Sequence, residues 1–140
     1  MPNPREGTSE GRRRIWFGRR DAGAASVEMV VLASFLFMFT FAVVQGGLWF
    51  HARSVALGAA QEGARVAAAE SSSGGAGAAA AADFVADAGG GGVLLGAATS
   101  GTRTATTATV VVTGQSQSIV FFWDPTIVQT ASVPVERITG

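Results

Sequence analysis

The chain has no cysteine, no lysine and no tyrosine among its 140 residues, and only one histidine, His51. Each absence removes a class of chemistry. Without cysteine there is no disulfide framework, no thiolate nucleophile and no Cys-based zinc site, so an exported part must hold together by packing alone. The four-glycine run at residues 89–92 has no strand before it and no lysine to serve it, and reads as a flexible linker rather than a nucleotide cradle. His51 and the scattered carboxylates Glu62, Glu70, Asp83, Asp87, Asp124 and Glu136 fall into no spacing that joins a nucleophile, a base and an orienting group, so neither an enzyme nor catalytic residues are expected. Asp83 and Asp87 share one helix face and read as a solvated pair, so no metal site and no cofactor are expected either.

What the chain does have is a long apolar run at residues 27–50, broken by one carboxylate, Glu28. From Met29 to Phe50 there is no charge. At about 1.5 Å per residue that stretch matches a hydrocarbon core roughly 30 Å thick, and it reads as a transmembrane helix. Phe35, Phe37, Phe39 and Phe41 point to different sides of such a helix, which makes it apolar all round. A long buried helix of a globular domain is the competing reading. An ionised Glu28 at the hydrocarbon edge costs a few kcal/mol unless it reaches outward or finds a partner, so it is either a helix-start residue facing the headgroups or a functional group.

The formal net charge of zero hides an asymmetry. Arg5, Arg12, Arg13, Arg14, Arg19 and Arg20 precede the span against Glu6, Glu10 and Asp21, whereas only Arg53, Arg65, Arg103 and Arg137 follow it. The positive-inside rule then keeps the N-terminus in the cytoplasm and exports the C-terminal part, a single-pass arrangement in the cytoplasmic membrane. Basic clusters that abut a span are a topology signal, and no nucleic-acid partner is expected. Residues 1–23 read as a disordered basic leader, 24–50 as the span and 51–140 as the exported part. Small residues at 56–60 leave open an ordinary signal-peptide cut, although the apolar run is longer than such a signal's core.

Trp49, Phe50 and His51 close the span, but nothing there stops a helix, and no proline falls between residues 25 and 70. One continuous helix over about 25–70 is predicted. Beyond the span Ala52, Ala56, Ala60, Ala64 and Ala68 repeat every fourth residue, with Ala59, Gly63 and Ala67 beside them, forming a strip of small side chains that another helix can approach closely. Residues 71–77 end this helix and 78–88 form a short second one. Period-two patterning over 103–113, 118–123 and 127–135 predicts three antiparallel strands, with turns at 114–117 and at Asp124-Pro125. The expected fold is therefore α+β: a long N-terminal transmembrane helix continuing into an exported helix packed on a small antiparallel sheet of about three strands.

Gly23 follows the basic leader, and Glu28 stands on the fifth residue beyond it, at the start of the apolar helix. This resembles the cleavage motif of type IV prepilins. The resemblance implies a prepilin peptidase cutting between Gly23 and Ala24, with Glu28 pairing with the new amine of a neighbouring subunit. Residues 52–69, ARSVALGAAQEGARVAAA, closely resemble the stretch after the span in TadE-like proteins, pseudopilin-like components of tight-adherence (Flp) pilus systems. Ala52, Arg53, Ala59, Ala60, Gln61, Glu62, Gly63, Ala64 and Arg65 carry that likeness, and together with Glu28 and the Thr/Val-rich C-terminal part it reaches from about Gly23 onward. Ser34 stands about where many members carry a proline, so no kink is expected there. The resemblance implies a structural subunit whose partners are the lipid bilayer, other pilus or pseudopilin subunits and the membrane assembly platform. A membrane-anchored or secreted small binding module, carried by Phe122 and Trp123, is the alternative. A neighbouring gene for a secretion ATPase would favour the pilus.

Overall fold

The computed structural model describes residues 19–120 and 123–136. Residues 1–18 of the expected leader, together with Phe121 and Phe122 of the expected second strand, lie outside the described residues. The chain divides into two compact units, Met1–Phe37 and Met38–Gly140. In the first, the described residues are the opening turns of helix α1, Arg19–Ala68. The helix starts some six residues before the expected point, inside the stretch read as a disordered leader, because Asp21, Ala22, Ala24 and Ala25 give it nothing to stop on. It passes Gly46 and Gly47 without interruption, and Ser34, whose Oγ donates to the Val30 carbonyl at 2.8 Å, is one more turn of it.

The second unit takes in α1 from Met38. After α1 come α2, Gly74–Asp87, a 3-10 turn at Gly90–Gly92, and three strands: β1, Leu94–Arg103; β2, Thr107–Ser116; and β3, Thr126–Pro134. The sheet is an antiparallel meander in the order β1-β2-β3. Helix α2 begins at Gly74, four residues earlier than expected, because Ser73 caps it: the Ser73 Oγ accepts from the Ala76 amide at 3.1 Å.

Two of the expected strands are present and one is not. Residues 118–123 are no strand in their described part. The sheet's first strand is instead β1, LLGAATSGTR, which follows the glycine run expected to be a flexible linker. Small residues let it lie directly under α2, where the Thr99 Oγ1 donates to the Ala78 carbonyl at 2.9 Å and Gly101 faces Gly74. Its register slips between Leu95 and Ala98, so that Gly96 and Ala97 together oppose Gly114. Gly96 takes the left-handed conformation, φ +59°, which such a bulge requires.

Strand β2 alternates as a half-buried strand should: Ala108, Val110 and Val112 are fully buried, while Thr107, Thr109, Val111 and Thr113 are only partly so. Its inner face meets Ala52, Ala56, Ala59, Ala60, Ala64 and Ala67 of α1 and Ala81 and Val85 of α2 in one hydrophobic core. On the outer face the hydroxyls of Thr109 and Ser132, which are register partners, lie 2.8 Å apart. The C-terminal end of α1 is held from the sheet: the Arg103 guanidinium donates to the carbonyls of Ala67 and Ala69, and the Glu136 amide donates to that of Ala68 at 3.2 Å. A cation placed on the last carbonyls of a helix satisfies orphan acceptors and favours the negative end of its dipole.

Candidate functional site

Helix α1 carries Gly23, Ala24, Glu28 and the small-residue strip. Gly23 and Ala24 lie in its second turn and are exposed, and a Cβ on Gly23 would meet nothing within 4 Å. Glu28, one turn further on, is exposed as well. From Val27 to Val44 the large apolar side chains remain 43–70 % exposed. In water each such side chain forgoes about half of the roughly 1.5–3 kcal/mol that full burial would give, so a stretch this long and apolar on every side is built for a non-aqueous surrounding. One helix among the described residues, α1, is long and apolar enough to cross a membrane.

The small-residue strip has a different environment. Ala52, Ala56, Ala60, Ala64 and Ala67 are all at 0 % exposure, and Gly63 is buried with them. The helix that approaches the strip is α2 of the same chain. A Cβ on Gly63 would stand 2.5 Å from the Gly77 carbonyl oxygen, and one on Gly77 would stand 2.5 Å from that of Gly63. Val110 of β2 closes the contact from below. Phe84 of α2 lies over Gly58 at the edge of the same crossing, and Arg65 pairs with Glu62 on the exposed side of α1.

These positions lead to the comparison with known proteins. The model of the TadE-like protein family matches residues 23–65. The TadE-like segment thus begins at Gly23, includes Glu28 and most of the buried strip, and lies wholly within α1, as 43 of the 140 residues. The match likens that segment to TadE-like proteins and covers less than a third of the chain. Neither the curated proteins nor the solved structures gave a match to the chain.

Within the TadE-like segment the structure singles out one residue that sequence reasoning passed over. Gln45 sits in the apolar run yet is only 1 % exposed. Its Oε1 accepts from the Ile119 amide at 2.8 Å and its Nε2 donates to the Gln117 carbonyl at 3.2 Å, so it clamps the β2–β3 connection to α1. The signal was an uncharged polar residue inside an apolar run. Among the described residues no group of three or more His, Asp or Glu gathers to hold a metal, and Asp83 and Asp87 are both exposed.

Proposed function

We propose that the chain is a single-pass, pseudopilin-like structural subunit that takes part in assembling a tight-adherence (Flp) pilus or a related secretion apparatus. The single observation that carries this reading is the TadE-like match on a continuous helix whose apolar surface is bare from Val27 to Val44. The basic leader stays in the cytoplasm and the folded part lies outside, with residues 1–23, 24–50 and 51–140 serving as leader, span and exported part. A prepilin peptidase cuts between Gly23 and Ala24, and Glu28 neutralises the new amine of a neighbouring subunit, which removes the expense of an unpaired carboxylate at the hydrocarbon edge. The strip from Ala52 to Ala67 seats the exported part on its own helix. Other pilus subunits and the assembly platform meet the protein in the bilayer.

Two substitutions test this reading at separate steps. Gly23→Leu should block processing, seen as an uncut N-terminus in the membrane-extracted protein. Glu28→Ala should be inserted and cut but recovered without its pilus partners in a pull-down. A Glu28→Ala chain that assembles like its parent, or a reporter fused after Gly140 that works only in the cytoplasm, rules the reading out.

A further inference from the structure

At its described residues Ile119, Val120 and Trp123 the β2–β3 connection lies beside α1, and it carries one carboxylate, the exposed Asp124. No charged residue occurs from Thr104 to Trp123. Ile119 and Trp123 are each 49 % exposed, and with Val120 they face Met38, Phe41 and Ala42 of α1 across a groove of about 750 Å³ whose lining is almost wholly apolar. That volume lies within the roughly 300–1,000 Å³ of sites that take small apolar molecules. Phe39, Val43 and Val44 on the same stretch of α1 are also exposed.

Depth follows from counting. If the hydrocarbon begins just after Glu28, about 20 residues carry the helix across it, to the level of Leu48 and Trp49. Trp49, with the Arg53 guanidinium 5.7 Å from its ring centroid, is the kind of aromatic and cationic pair that marks the interface. Residues 38–45 then lie in the outer half of the hydrocarbon, and so does the groove they line.

Part of the connection's described backbone is paired from within the chain. Irregular chain at membrane depth must have its polar groups satisfied from within. Here Gln45 takes the Ile119 amide and gives to the Gln117 carbonyl. The Trp123 amide donates to the Val120 carbonyl at 3.0 Å, and the Ser118 hydroxyl shares its proton between the carbonyls of Val120 and Trp123, at 2.7 and 2.6 Å.

We propose that Ile119, Val120 and Trp123 of the β2–β3 connection sit in the outer leaflet beside the span, and that the groove they form with Met38 and Phe41 is filled by a phospholipid acyl chain. The inference rests on the membrane-spanning reading above. The test uses the full chain in phospholipid vesicles, in two single-tryptophan forms: Trp16→Phe with Trp49→Phe, which leaves Trp123, and Trp16→Phe with Trp123→Phe, which leaves Trp49. Lipids brominated high on the acyl chain should remove most of the Trp123 emission, to an extent comparable with Trp49, while aqueous iodide should leave it nearly unchanged. If Trp49 is quenched by the bromolipid and Trp123 only by iodide, the loop stands in water and the inference is wrong while the span survives. If neither quencher reaches Trp123, protein covers the groove and the inference is equally wrong. If the bromolipid quenches neither residue, the spanning reading falls and takes the loop with it.

Discussion

The crossing of α1 and α2 depends on two missing side chains, and replacing one of them gives a worked magnitude. In a helix interior alanine is favoured over glycine by about 1 kcal/mol. That gain is the whole effect expected at Gly46, where an added Cβ meets nothing within 4 Å. At Gly63 the same methyl would stand 2.5 Å from the Gly77 carbonyl oxygen, 2.9 Å from the Ala81 Cβ and 3.1 Å from the Val110 Cγ1. A backbone oxygen and a Cβ cannot rotate out of the way, so the two helices must part. Overpacking of this kind costs about 1–3 kcal/mol, and a backbone clash belongs at the upper end. Subtracting the propensity gain leaves a net loss of about 2 kcal/mol for Gly63→Ala. For a folded part of this size that lowers Tm by about 8–16 °C. The assay is thermal unfolding of the full chain in detergent, followed by near-ultraviolet circular dichroism, with Gly46→Ala as the reference for propensity alone. If Gly63→Ala raises Tm as Gly46→Ala does, α2 is not seated on α1 in this way.

Two further predictions concern links to α1. Arg103→Met removes the donor to the Ala67 and Ala69 carbonyls and should cost about 1–2 kcal/mol in the same unfolding assay, with Arg103→Lys recovering only part of it because an ammonium has no fork. Gln45→Leu leaves the Gln117 carbonyl and the Ile119 amide without their partners, at about 1–3 kcal/mol, and should speed proteolysis between residues 117 and 125 in detergent more than it disturbs the core. Equal cleavage of parent and variant would contradict that clamp.

How legible the fold was depended on how local its causes are. The continuity of α1 follows from a run of good helix formers without proline, and the inner and outer faces of β3 follow from its alternation, with Ile127, Ala131 and Val133 turned inward. Strand β1 was hidden because its composition is set by a neighbour. Gly101 and Thr99 are there to let α2 lie close, so the strand carries no apolar alternation to read. The converse error at residues 118–123 has the same source: Ile119 and Trp123 alternate like strand residues, but their partners are on α1 and not on a neighbouring strand. The strip at Ala52, Ala56, Ala60 and Ala64 was plain as a periodicity, but a periodicity does not say which chain the approaching helix belongs to.

That last point bears on how the protein meets its partners. With the strip fully buried under α2 and β2, a helix from another subunit reaches Ala60 or Gly63 only by displacing part of the chain's own core. Contact between subunits is left to the surface of α1 that the folded part does not cover. In lipid there is no hydrophobic drive between apolar helices, and association rests on close packing and on polar groups. From residue 27 to residue 44 the one ionisable group is Glu28, and Ser34 already donates to its own helix. Glu28→Ala and Gly63→Ala should therefore fail differently: the first keeps the parent's Tm and loses its partners in the pull-down, whereas the second loses Tm and has no folded part to present. A Glu28→Ala chain that melted as early as Gly63→Ala would mean that the carboxylate serves the fold of its own chain and not assembly.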